Sequence, residues 1–476
     1  MSGAAIITAA IGSKTVFGKS EIEKKAAEIP YVFPEGLFTD VRIEDSFETA
    51  ILNRNGTLEQ LRERKYQGAF IRVFDGKRWY TSATTDLAGI QGEIDLLAKM
   101  AKPDPKIAAN AIVKAFQVNT GNFIRFGDAD ISSIPQKSKL DILERFIPSL
   151  GKYELIKDWS MSYNDNRRVK KIFSSKGTNL IFDFQTVGFA VAMTFIQGDK
   201  NFSEMFDGGC NTFEELEKKA DSNLLNERIK LGEVFLTQAV PVKPGKYPVV
   251  LSPAVAGVFA HESFGHKSEA DFMIGDETMM KEWTVGKKVG SEILSIVDDG
   301  NYPGTGYIQF DDDGNRSQET YLIRNGVLAG RLHSAKTAGI LGEATTGNSR
   351  ALDFTFEPIV RMTSTYIKPG NETKEQLISH IRDGFFIDTL KHGSGMSTFT
   401  IAPLRAYKIR DGKVQEPVQI SVISGNVFET LNLVDGVSDV VEVRGLGRGG
   451  CGKMAQYPLP VNFGGPFVRV KEMDVR

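Results

Sequence analysis

Ser252-Pro-Ala-Val-Ala-Gly-Val-Phe-Ala-His261-Glu-Ser-Phe-Gly-His266 is the stretch whose reading decides the fold. Ser252 is placed to cap a helix, Pro253 suits the first helical position, and Val255, Val258 and Phe259 give that helix a buried face. The chain has five histidines, and two of them close this segment around a carboxylate, Glu262. Imidazoles are ligands suited to zinc, and a neighbouring Glu can accept a proton from water that the ion polarises. The spacing is unusual. Histidines at i and i+4 stand about 40° apart around a helix, whereas i and i+5 stand roughly 140° apart. A regular α-helix therefore cannot aim His261 and His266 at one ion. The helix either widens locally, as a π-bulge does, or it ends or kinks between them. Gly265 lowers the cost of such a departure.

A third ligand has to come from elsewhere. Two cysteines, Cys210 and Cys451, exclude a disulfide framework and a Cys-x-x-Cys knuckle. Cys451 sits in Gly445-Leu-Gly-Arg-Gly-Gly-Cys451-Gly-Lys453, after a strand-like Val440-Val-Glu-Val443. A thiolate there would complete a His-His-Cys set with one open position. Cys210 reads as a small half-buried thiol. His333, His380 and His392 read as structural by default, and each remains open as a replacement ligand. The glycine loop also imitates a phosphate loop, since Gly447 to Lys453 fits the first seven Walker A positions. Met454 replaces the Ser or Thr, however, and Pro458 and Pro460 follow where a helix would have to begin. Nucleotide binding is rejected.

These blocks, in this order, resemble the TldD/PmbA family of zinc metallopeptidases, also called modulators of DNA gyrase. The similarity rests on His261-Glu-Ser-Phe-Gly-His266 with the acidic Glu269 and Asp271, on Val297-Asp-Asp-Gly300, Thr346-Gly-Asn-Ser-Arg350 and Arg361 to Tyr366, and on Cys451-Gly-Lys453 with Gly465-Pro466. It is clear over residues 230–476 and weaker before. The resemblance implies that His261, His266 and Cys451 bind Zn2+ and that Glu262 acts as general base and then acid. It further implies an extended or unfolded peptide as substrate, and a homodimer or a heterodimer with a related subunit. Ala270 and Ala455 stand where the family pattern has glycines.

An α+β fold of two domains is expected: an N-terminal α/β domain over 1–235, then a largely β metallopeptidase domain over 236–476 carrying the motif helix. The 58 basic and 60 acidic residues give a net charge of −2, which argues against direct nucleic-acid binding. Met1 to Ala10 lacks the basic start of a signal peptide, and no apolar run of about eighteen residues appears. A cytoplasmic protein without a membrane segment is expected. Strands are predicted around Asp75-Gly76 and Lys176-Gly177, with helices over 86–101, 138–146 and 212–231. Asn325-Gly326 predicts a hairpin turn, as does Asp313-Gly314. Asp311-Asp-Asp313 places its glycine too early for an EF-hand and reads as part of that turn. His392-Gly-Ser394-Gly lacks the spacing of a serine nucleophile elbow. The competing functional class is a metal-bearing subunit that binds peptides without cutting them. Retention of Glu262 argues against it, because metal binding alone does not need that carboxylate.

Overall fold

The computed structural model describes residues 29–476, so the reading of Met1 to Ala10 lies outside the described residues. The N-terminal half is built on unusually long antiparallel strands. Phe38–Arg54 pairs with Thr57–Phe74 and with Ile156–Ser174, and Asn179–Gln197 and Lys200–Cys210 follow in order. Asn55 and Gly56 turn the first hairpin with φ of 48° and 87°, the left-handed pair that a tight two-residue turn demands. The expected turns at Gly76 and Gly177 are also present, both with positive φ. Helices cover one face of the sheet, where Phe146, Phe189, Phe206, Leu225, Ile229 and Leu236 form a core. The predicted 212–231 helix is in fact two, Phe213–Lys219 and Ser222–Gln238. The chain leaves helical geometry at Ala220, and the Asp221 side chain accepts from Asn223 N to start the second helix.

The C-terminal half is largely β. Six of its strands extend the N-terminal sheet, joined where Gly445 pairs with Gly209. A Cβ on Gly209 would lie 2.3 Å from the Leu446 carbonyl oxygen, and one on Gly447 would lie 1.9 Å from that of Phe189. Gly447 is thus a glycine because the loop lies flush on the first half's sheet there.

A second sheet contains Gly245–Leu251, Asp383–Gly395, Thr398–Arg410 and Val468–Val475. The motif helix, Pro253–Ala260, packs against Asn462–Gly465 of the large sheet and Asp383–Gly395 of the second. Gly257 permits the closest approach, since a Cβ there would meet Gly464 N at 2.2 Å. Val255, Phe259 and Phe264 are fully buried around this helix, and each contributes about 1.5–3 kcal/mol by leaving water.

Asn325 and Gly326 form the predicted hairpin turn, with φ of 49° and 78°. Around Asp313-Gly314 the pairing shrinks to a single bridge, Phe310 with Arg316. The three aspartates there do other work. Asp311 accepts from the backbone N–H of Asp313, Asn315 and Ser349, Asp312 holds Lys170 at 2.5 Å, and Asp313 holds Arg72 at 2.8 Å. Lys170 and Arg72 belong to the long N-terminal strands. The acidic triplet therefore stitches the C-terminal half onto the N-terminal sheet.

Candidate metal centre

The motif helix starts as its sequence dictates: the Ser252 hydroxyl accepts from Val255 N at 3.4 Å, with Pro253 next. It stops being an α-helix at His261. Residues His261–Gly265 form a π-turn, closed by the His266 N–H donating to the His261 carbonyl. In such a turn residues i and i+5 stand about one turn apart on the same face. The i, i+5 spacing is resolved by widening the helix, one of the two routes the sequence left open. The two rings lie 5.2 Å apart, nearly perpendicular. Gly265 is needed for space more than for flexibility. Its φ of −55° is ordinary helix, but a Cβ would lie 1.8 Å from the Met362 sulfur.

Cys451 reaches the histidines from the other end of the sequence. It opens a small hairpin, Cys451–Lys453 with Gln456–Leu459. Met454 and Ala455 make its turn with φ of 48° and 65°. A glycine at 455 would suit that geometry better, which gives physical content to the departure noted in the sequence. Ala270 has no such difficulty: it is fully buried and donates to the Leu332 carbonyl at 3.1 Å. The hairpin is clamped to the motif helix by Lys453, whose buried ammonium lies 3.0 Å from Glu269 and 2.6 Å from Asp271. Arg361, also buried, donates to the Cys451 carbonyl at 2.7 Å. Sequence reasoning assigned these clamps no role. The signal was present in the acids three and five positions after His266 and in the lysine two after Cys451.

The result is a convergent set. The donor atoms of His261, His266 and Cys451 lie within 4.8 Å of one another, and this is the one such cluster of three or more among the described residues. Cys451 Sγ stands 3.4 Å from His266 Nε2. His266 Nδ1 faces Glu269 at 3.3 Å, so a carboxylate orients the ring and leaves Nε2 toward the sulfur. His261 Nδ1 is buried with no partner. Burial opposes charge on both Cys451 and His266. The two imidazoles, His261 first, nevertheless hold the thiol down to about 5, and contacts with Cys451 and Glu269 push His266 up to about 10. Donors bound to one four-coordinate zinc are separated by about 3.3–3.6 Å. The sulfur to His266 distance already lies in that range, and the widest gap closes with a shift of roughly 1 Å. The residues present fit a zinc ion.

Glu262 stands beside the cluster, its Cγ within 3.5 Å of where a Cβ on Gly393 would be. Burial raises its pKa, partly offset by the two imidazoles. His261, Glu262, His266 and Cys451 all line one cleft of about 750 Å³, with walls drawn from both halves of the chain.

The other candidate residues go elsewhere. His333 is buried between Thr337 Oγ1 at 3.0 Å and Glu343 at 2.8 Å. His380 meets Arg469 at 2.7 Å. His392 lines the cleft but lies outside the convergent set. Ser394 faces Thr400 at 3.0 Å within a strand, with no helix after it. Cys210 is buried and its thiol is pushed up to about 12, chiefly by that burial.

No helix among the described residues is long and apolar enough to cross a membrane. Residues 244–476 match the PmbA/TldA metallopeptidase C-terminal domain, and residues 39–102 match PmbA/TldA metallopeptidase domain 1. A metalloprotease of Methanothermobacter thermautotrophicus is 31% identical over 92% of this chain and 95% of its own. A zinc metalloprotease TldD homolog of Saccharolobus solfataricus is 27% identical over 92% and 96%. The solved structure of TldE from Thermococcus kodakarensis shares the fold, with a TM-score of 0.69 at 18% identity over 92% of this chain and 96% of that one. With family models over both halves and relatives aligned along nearly its whole length, the chain belongs to the PmbA/TldA metallopeptidase family.

Proposed function

We propose that this metallopeptidase is a zinc enzyme that hydrolyses bonds in extended or unfolded peptides, with His261, His266 and Cys451 as ligands and Glu262 as the proton carrier. The observation that carries the proposal is the convergence of one donor atom each from His261, His266 and Cys451 within 4.8 Å of one another. Zinc bound there supplies positive charge that polarises the scissile carbonyl and acidifies water. The protein's own residues supply the rest. Glu269 and Lys453 hold the His266 ring in register, and Arg361 fixes the backbone of Cys451. The Glu262 carboxylate takes the proton of the attacking water and delivers it to the departing amine nitrogen. The partly enclosed cleft limits bulk water, which strengthens each of these electrostatic contacts.

A thiolate ligand donates more charge than a third imidazole and weakens the ion as a Lewis acid, so slow turnover is expected. The test is metal content by mass spectrometry, beside a Cys451→Ala variant purified identically. Zinc near one per chain that is lost in the variant supports the ligand set. Zinc retained in the variant moves the third ligand elsewhere, and zinc absent from both after reconstitution overturns the proposal.

A further inference from the structure

The cleft that holds Glu262 extends to a second wall built from Arg228 of the Ser222–Gln238 helix and Arg405 of the Thr398–Arg410 strand. Arg405 is buried. Its Nε donates to Asp388 at 2.8 Å and its Nη1 pairs with Glu204, while its Nη2 is buried without a partner. Arg228 is half-buried and forms no hydrogen bond or ion pair among the described residues. Burial weakens its guanidinium first and the Arg405 charge adds to that, while Glu204 and Asp388 pull the other way. Both of those carboxylates are already engaged by Arg405. A guanidinium drawn partly out of water with no anion to complete it is costly to hold, and its planar fork matches a carboxylate in two-point contact.

We propose that Arg228, backed by the buried Arg405, forms a subsite for a carboxylate carried by the peptide substrate. This rests on the peptidase reading of the cleft and adds a chemical preference to it. The register gives the subsite a position. Arg405 stands opposite Thr389, and Glu262 stands against Gly393, four residues further along the same strand. At ~3.3 Å per residue that is at most about 13 Å, or about four residues of extended peptide. The strand has register shifts between Thr389 and His392, so this is an upper limit, and the carboxylate is held within about four residues of the bond that is cut. Two sources share this chemistry: the free C-terminus of a chain trimmed near its end, and an acidic side chain at that distance.

The experiment uses the full chain carrying Glu262→Gln, loaded with zinc, and fluorescein-labelled dodecapeptides of one acid-free sequence. One peptide has a free C-terminus, a second is amidated, and a third is a set of amidated peptides with a single Glu moved along the chain. Anisotropy titrations are expected to show a gain of about tenfold for a carboxylate-bearing peptide over the amidated acid-free one. Gain from the free terminus identifies C-terminal recognition, and gain from one Glu position identifies a side chain. The gain disappears in Arg228→Gln and returns in part in Arg228→Lys, which keeps the charge without the fork. Equal binding of all peptides with Arg228 in place overturns the inference, as does a gain that survives Arg228→Gln. Parallel digests with the Glu262 protein keep the two readings separate. Cleavage without carboxylate preference removes the subsite and leaves the peptidase, and carboxylate-selective binding without cleavage does the reverse.

Discussion

Two clusters of ligand-type residues lie in the C-terminal half, and their fates are opposite. Asp311-Asp312-Asp313 puts three carboxylates side by side in the chain, yet they diverge and are consumed by backbone N–H groups, Lys170 and Arg72. His261, His266 and Cys451 are scattered over 190 residues, yet their donor atoms converge, and His261 Nδ1 is left without a partner. Density of candidate ligands along a chain does not make a site. Convergence of their donor atoms makes a candidate one, and a buried polar atom without a partner, as at His261 Nδ1, adds to the cost of leaving it empty.

The sharpest test of this contrast is Glu262→Gln, which keeps the shape of the site and removes the proposed proton acceptor. Peptidase kcat is expected to fall about 10²–10⁴-fold with zinc content unchanged, and an unchanged kcat in zinc-loaded protein would reassign the base. The aspartate cluster should respond in the other currency. Asp312→Ala leaves Lys170 buried beside a lost partner and is expected to cost about 3–5 kcal/mol in urea unfolding, with zinc content intact. Zinc lost at a temperature where the variant remains folded would erase the distinction between the clusters.

Asp312 also carries a pH signature. Burial opposes its ionisation, but Lys170 and then Arg42 bring it down to about 2, below the roughly 3.9 of an unfolded Asp. A depressed folded pKa stabilises above the unfolded value and loses that contribution as pH falls through the folded one. The stability difference between the natural protein and Asp312→Asn should therefore be full at pH 5 and above, and shrink as pH drops toward 2. A difference that is flat across pH 5 to 3 would contradict the ion-paired state.

Smaller effects probe the geometry around the candidate metal centre. Gly265→Ala drives a methyl into the Met362 sulfur and should cost about 1–3 kcal/mol, with weaker zinc retention under a chelator, because Gly265 is the last residue of the π-turn between the histidines. Ala455→Gly relieves a left-handed alanine and is expected to stabilise by up to about 1 kcal/mol, read as a small rise in Tm.

Much of this was legible in the chain. Ser252, Pro253 and the apolar face announced the motif helix, and Asn325-Gly326 announced its hairpin. The i, i+5 spacing showed that the helix had to depart from regular geometry if the histidines were to share a ligand. The break at Ala220 was harder to see, because Glu, Lys and Leu on both sides favour helix and only the Asp221 cap marks the restart. The long Lys200–Cys210 strand was missed: its polar, glycine-rich sequence has little β pattern, and its pairing with Asn179–Gln197 supplies what local propensity does not.

The sequence by itself determined the candidate ligand types, the helix that presents two of them, the carboxylate beside the first and the left-handed turns. These depend on side-chain chemistry and on local backbone sterics, which act within a few residues. Only the tertiary structure decided that the departure is a π-turn, that Cys451 rather than a spare histidine reaches the pair, and that Gly265 and Gly447 are glycines for want of space. It also decided that three adjacent aspartates would each take a different partner. Those outcomes depend on groups far apart in sequence meeting across packed sheets, where distance and burial determine which polar atoms are satisfied.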